Sequence, residues 1–415
     1  MNSRSKPAPR VPPVMDAGDF APLITAYVAK LEGLSHTKLT VANYADSARH
    51  FAAWLRQTKI ALVDVDRAAL DRFAQHRCRC GGARRNGRLS RRYVRRARRF
   101  ATFLIDCGLI PPLSTQAPLA VDDHVAEYQQ WLKHHRGICE STIKRHGRMV
   151  MRLLAVLGRD PSVYDASLIR RTILAETRQC SPSHVKTMTT ALRGYLRFLA
   201  AAGICPPGLD RAVPLVPQWR LSSLPRYLSP ADVERLIASC DLDTVHGVRD
   251  RAILMLFARL GLRVGDVLNM QIGDIDWAAG MLRVSGKGRR AVRLPLPQEV
   301  GDALLAYIDQ VRPIVETKSV FLRSCAPYRS FTNPSTISCV VRLALQRAGI
   351  KDPPSKGANL LRHSAATAML RGGATLQSVG AVLRHRSIDT TAHYAKVDVL
   401  TLRQIAQPWP GAVSC

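Results

Sequence analysis

Five side chains in the second half of the chain have types and an order suited to work on a phosphodiester. They are Arg263 in ARLGLRVGD, Lys287 in VSGKGRR, Arg362 in NLLRHS, and His385 and Tyr394 in LRHRSIDTTAHYAKV. A phenol is a weak nucleophile, so a protein that attacks with one must surround the phosphate with fixed positive charge and supply an acid for the departing oxygen. Guanidiniums clamp a phosphate bidentately, which an ammonium does less well. An imidazole can donate a hydrogen bond to the same group, and a lysine can give up a proton. The formal net charge is +30, from 61 Lys and Arg against 31 Asp and Glu. Such a field concentrates polyanions, so the phosphate is expected to belong to nucleic acid.

These side chains need elements to hold them. AILMLFARLGLR reads as an apolar helix closed by Arg263, with Gly261 as a local bend and Asp266 one turn further on the same side. Alternating apolar residues in MLRV and AVRLPLP flank a glycine-containing SGKGRR, the pattern of a β-hairpin with Lys287 at its tip and Arg289 and Arg290 beside it. NLLRHSAATAMLRGG reads as a helix stopped by Gly372 and Gly373, and Tyr394 follows on a short helix after Ser387-Ile388-Asp389. Ser229 before Pro230, with Asp232 in the first turn, starts the helix that opens this region. Taken singly, Arg263 reads equally well as a structural partner of Asp266, Lys287 as a solvated tip and Tyr394 as a core residue. The ordered set is what distinguishes them, and Tyr307 and Tyr328 lack such company.

In order and spacing, these segments resemble the tyrosine recombinase (phage integrase) family over Leu224–Ala406. The resemblance implies that Tyr394 attacks a DNA phosphate, forming a 3′-phosphotyrosyl bond and freeing a 5′ hydroxyl. Arg263, Arg362 and His385 would stabilise the transition state, Lys287 would protonate the leaving oxygen, and Asp266 would orient Arg263. His363 fills the place of a second, structural histidine that packs inside. It further implies double-stranded DNA as partner, a homo- or hetero-tetramer on DNA with companion recombinases as one option, and no metal or other cofactor. Two positions depart from the pattern. Asn359 stands at the usual histidine; its amide is no useful base but can hydrogen-bond a phosphate oxygen. Arg384 stands where glycine usually precedes the histidine. The tail IAQPWPG (Ile405–Gly411) is similar to recombinases of mobile elements, with integration, excision or transposition as the outcome. Two other readings remain: a type IB topoisomerase, and, because of Asn359, a DNA-binding paralogue that no longer cuts.

A chain of 415 residues, 47% hydrophobic, exceeds one ordinary core and predicts several domains. TVANYADSARHFAAWL (Thr40–Leu55) aligns with TIKRHGRMVMRLLAVL (Thr142–Leu157) at an offset of 102, and Phe103-Leu104 aligns with Phe198-Leu199 at an offset of 95. The difference fits an extra loop in the first copy around CGGARRN. The expected fold is mainly α with a small β-hairpin or sheet in the catalytic domain. Its order is a disordered tail (1–17), a helical domain (18–113) duplicated in the next (119–206), a Pro-rich linker (207–226), the catalytic domain (227–407) and a tail (408–415). By resemblance, 119–206 is the core-binding domain and 18–113 an additional arm-type or core-binding-like module.

Eleven arginines fall from Arg77 to Arg99. Arg88, Arg92, Arg95 and Arg99 recur at three- and four-residue spacing and line one helical face, with Arg91 and Arg96 beside them. No acidic partner stands at i+4, so the face calls for an anion such as the DNA backbone. Lys144, Arg145, Lys186, Arg289 and Arg290 are further candidates for DNA contact. Phosphate contacts of this kind position a protein without reading sequence. The ten cysteines form no paired framework, and the CxC at Cys78 and Cys80 lacks the second pair of a zinc site. The opening MNSRSKPAPRVPP has no apolar signal core, and no stretch is long enough to span a bilayer, so a cytoplasmic protein without a membrane partner is expected.

Overall fold

The computed structural model describes residues 17–76, 89–111, 123–178, 180–215, 224–285, 291–385, 387–397 and 402. They fall into two compact units, one of residues 17–59, 89–100 and 224–402, the other of 60–76 and 101–215. Among the described residues no helix is long and apolar enough to cross a membrane.

Up to residue 215 the chain is helical: α1 (Ala21–Gly33), α2 (Lys38–Gln57), α3 (Arg67–Gln75), α4 (Arg91–Asp106), α5 (Asp123–Arg136), α6 (Glu140–Leu157), α7 (Ala166–Thr177) and α8 (Pro182–Ala201). One succession occurs twice: two helices, a 3-10 turn (Leu62–Asp64, then Pro161–Val163), and two more helices. The third helix of each series starts from an aspartate. Asp66 Oδ1 accepts from Ala69 N, and Asp165 Oδ1 from Leu168 N, each at 2.7 Å. These caps satisfy first-turn N–H groups that helix geometry leaves without a partner. In the second unit, α5 to α8 close over Tyr128, Val150, Leu153, Ile169, Leu192 and Tyr195, and the Tyr128 hydroxyl donates to the Ala191 carbonyl at 3.1 Å.

From residue 224 onward come α9 (Pro230–Ala238), α10 (Val245–Leu260), α11 (Val264–Leu268), the strands β1 (Ile275–Asp276), β2 (Met281–Ser285) and β3 (Ala291–Pro295), and α12 (Gln298–Ala306). They are followed by α13 (Pro334–Arg347), α14 (Asn359–Arg371), α15 (Leu376–Val382), α16 (Ile388–Ala392) and a 3-10 helix over His393–Val397. The described residues are thus mainly α, with one small antiparallel sheet among them in the order β1-β2-β3. In its hairpin Leu282 faces Leu294 and Val284 faces Val292. Helix α10 is buried on every side from Ala252 to Phe257, as its unbroken apolar sequence requires. A smaller apolar cluster joins Ala366 and Leu370 of α14, Val379 and Leu383, and Tyr394.

Helix α10 ends earlier than the sequence suggests. Gly261 takes a left-handed conformation (φ +56°) and donates its N–H to the Phe257 carbonyl at 3.1 Å, a glycine stop. A Cβ there would lie 2.6 Å from Leu383 Cδ2. Arg263 therefore does not close this helix, and instead occupies the N-cap position of α11. Tyr394 lies on a short 3-10 helix directly after α16.

Candidate active site

Helix α14 carries Arg362, which is buried and extends toward two loop ends. Its Nη1 donates to the Gly261 carbonyl and its Nη2 to the Leu383 carbonyl at 2.6 Å. Burial, with Arg263 and Arg384 nearby, pushes its pKa down to about 10, still charged at neutral pH. Arg263 is held at both ends. Its backbone N–H donates to Asp266 Oδ2 at 2.8 Å, and its Nη2 donates to the Arg384 carbonyl at 2.9 Å.

The Asp266 oxygen that receives the Arg263 N–H also accepts from Arg384 Nη2. The side chains of this ion pair are only 7% and 6% exposed. Arg384 sits in the left-handed region at φ +55°, where a Cβ is unfavourable, and its Nε and Nη1 are buried with no hydrogen-bond partner among the described residues. Asp266 thus acts on Arg263 through the backbone and on Arg384 through the guanidinium.

His385 follows on the same loop. Its Nδ1 lies 2.8 Å from Thr391 Oγ1, and its ring is parallel to that of Tyr394 with centroids 6.4 Å apart. Burial first, then Arg362 and Arg263, lower its pKa to about 4, so the ring is neutral at pH 7. Tyr394 is 2% exposed; burial raises its pKa while Arg362 opposes the rise. Its hydroxyl lies 2.7 Å from Nδ1 of His363, a half-buried residue of α14. His393 stacks edge-on to both rings.

The structure therefore brings together Arg263, Arg362, His385, Tyr394, Asp266 and His363 from α14, the start of α11, the loop after α15 and the last 3-10 helix. Asn359 is the exposed first residue of α14. Lys287, Arg289 and Arg290 lie outside the described residues, which stop at Ser285 and resume at Ala291; Arg88, residues 1–16 and the tail 408–415 also lie outside them. Tyr307 is a core residue whose hydroxyl accepts from Leu322 N at 3.1 Å. Thr391 and the buried Arg384 guanidinium are members that sequence reasoning did not assign. Only the departure from glycine at 384 signalled either.

Helix α4 buries Val94, Ala97 and Phe100 and exposes Arg91, Arg92, Arg95 and Arg99. Arg96 is half-buried, donates from Nη1 to Asn43 Oδ1 at 3.1 Å, and stacks with its guanidinium carbon 5.9 Å from the Tyr44 ring centre. The Arg99 guanidinium lies 5.6 Å from the same ring. Lys144, Arg145 and Lys186 are exposed, and Lys144 pairs with Glu140 at 3.4 Å.

Chemically, this is a cluster of three guanidiniums and three imidazoles held neutral around one phenol, suited to an anionic group that is attacked and expelled. Residues 226–400 match the model of the phage integrase family. The chain is 36% identical to y4rA of Sinorhizobium fredii, described as an integrase/recombinase, over 95% of each chain. It is 26% identical to the tyrosine recombinase XerD of Listeria innocua, over 69% of this chain and 97% of that one. Among solved structures, a post-cleavage complex of the XerH site-specific recombinase superposes with a TM-score of 0.55 at 19% identity, covering 68% of this chain and 83% of that one. A lambda integrase dimer bound to a COC′ core site superposes with a TM-score of 0.53 at 16% identity, covering 78% and 91%. At such identities the two structures establish the fold.

The chain belongs to the phage integrase family, the tyrosine recombinases. It is a DNA strand-breaking and rejoining enzyme that acts in site-specific recombination.

Proposed function

We propose that Tyr394 is the nucleophile of this recombinase and that Arg263, Arg362 and His385 hold the phosphate it attacks. The observation that carries the reading is the convergence of a buried phenol with two guanidiniums and an imidazole from four separate segments. In the reaction the Tyr394 oxygen bonds to phosphorus and the bond from phosphorus to the 5′ oxygen breaks. Lys287 gives that oxygen a proton. The charge clamp supplies most of the barrier reduction, because it faces charge that develops in the transition state. The new ester retains the free energy of the one broken, so a 5′ hydroxyl from another strand reseals it without ATP.

The partner is double-stranded DNA. The exposed arginines of α4 and the basic residues 144, 145 and 186 contact its backbone, and the helical regions 18–113 and 119–206 act as two related DNA-binding domains. A lambda integrase tetramer bound to a Holliday junction has a similar fold (TM-score 0.53), which supports a tetramer here. XerD of L. innocua matches 69% of this chain whereas y4rA matches 95%, which supports an additional module beyond the two-domain plan.

Covalent trapping tests the reading, using the full chain with nicked suicide duplexes drawn from sequence flanking the gene. Wild type should form a phenol-resistant adduct that Tyr394→Phe abolishes. An adduct that survives in Tyr394→Phe would remove Tyr394 from its role. Binding without any adduct in wild type would favour the non-cleaving reading that Asn359 motivates.

A further inference from the structure

We infer that His363 is the general base that takes the phenolic proton from Tyr394, the part Asn359 cannot play. The inference rests on Tyr394 being the nucleophile and assigns the fate of its proton.

The geometry is direct. His363 Nδ1 lies 2.7 Å from the Tyr394 oxygen, within the distance at which a proton moves between heteroatoms. The ring centroids are 5.6 Å apart at 49°, so the imidazole meets the hydroxyl edge rather than stacking on the ring. The other candidates are placed differently. Asn359 is exposed, and an amide has no useful basicity. His385 has its Nδ1 on Thr391 and its ring parallel to the phenol. His393 stands edge-on to Tyr394, with centroids 5.9 Å apart.

The surroundings keep the accepting nitrogen available. The groups facing His363 are Arg362 on its own helix, His393 and Tyr394 on the 3-10 helix, and His385 on the loop after α15. Burial, then His393 and Arg362, hold its pKa below the ordinary histidine value, so the ring is neutral at pH 7. Tyr394 itself is held protonated by burial, so hydroxide alone does little for it near neutrality. In the forward step Nδ1 takes the proton as the oxygen bonds to phosphorus. The resulting imidazolium, carrying a hydrogen on each nitrogen, returns that proton to the departing phenolate when a 5′ hydroxyl reseals the strand.

The test uses the full chain on the same nicked duplexes, comparing wild type with His363→Gln, His363→Ala and Tyr394→Phe. The two His363 variants should bind DNA like wild type and form adduct about 10²–10⁴-fold more slowly. The wild-type rate should level off at a pH below the ordinary histidine value, whereas the His363→Ala rate should keep climbing with hydroxide. Added imidazole should restore part of the His363→Ala rate. Near-wild-type cleavage by both variants overturns the proposal. So does a slow variant with the wild-type pH profile and no imidazole rescue, which would make His363 a positioning residue. An adduct persisting in Tyr394→Phe signals failure of the nucleophile assignment instead. Should His363→Ala fail to fold, the near-isosteric His363→Gln carries the rate and pH comparison.

Discussion

Removing the buried pair Asp266–Arg384 one side at a time should cost far more than removing it whole. Arg384→Gly relieves a left-handed residue that costs about 1–2 kcal/mol. It also strands the Asp266 carboxylate, whose side chain is 6% exposed, and breaking a buried pair this way costs about 3–5 kcal/mol. The net loss is about 2–3 kcal/mol. Asp266→Ala strands a guanidinium whose Nε and Nη1 already lack partners, and deprives the Arg263 N–H of its acceptor, for a loss of about 3–5 kcal/mol. The double variant has neither charge nor strain and should lose only about 1–2 kcal/mol, mostly the uncapped N–H. The singles sum to about 5–8 kcal/mol, so the expected coupling is about 4–6 kcal/mol. Hydrogen exchange of peptides from α10, α11 and α14 at stepped urea concentrations reads this region separately from the helical segments. If the double variant equals the sum of the singles within about 0.5 kcal/mol, the two side chains do not interact and the reasoning fails.

Tyr394 meets Arg362 and His363 of its own chain, so cleavage should occur in cis. A mixture of Tyr394→Phe with Arg362→Gln should then form no more adduct than either alone, and restored adduct would show a tyrosine donated to a neighbour's pocket. Acid should loosen the same region, because His385 has its pKa lowered from 6.5 to about 4, with His363 and His393 lowered as well. The unfolded chain takes up these protons first, so stability is full above about pH 6.5 and declines toward pH 4, by up to about 3 kcal/mol from His385. Melting temperatures from pH 7.5 to 4.5 should fall less steeply for His385→Gln, and parallel curves would refute the attribution.

Phosphodiester chemistry limits the useful side chains so strongly that Arg263, Arg362, His385 and Tyr394 stand out in the sequence. Helix α14 and the paired strands β2 and β3 follow from apolar period and glycine placement. What pairs with what was not legible, since His363 reaches Tyr394 across 31 positions and Arg384 reaches Asp266 across 118. No local pattern encodes contacts of that range. Gly261 was visible as a bend, but the close approach of Leu383, which leaves no room for a Cβ there, comes from the tertiary fold. The Tyr394 segment reads as helical, yet five residues over His393–Val397 settle into the tighter 3-10 form.

The carbonyls of Leu383 and Arg384 are neighbours on one loop, and each accepts from a different guanidinium, Arg362 and Arg263. His385 is the next residue. The three groups proposed to hold the phosphate are thus tied to a single three-residue stretch. A neighbouring molecule that moved this loop would therefore disturb the aim of all three at once, as turning one key moves every pin in a lock.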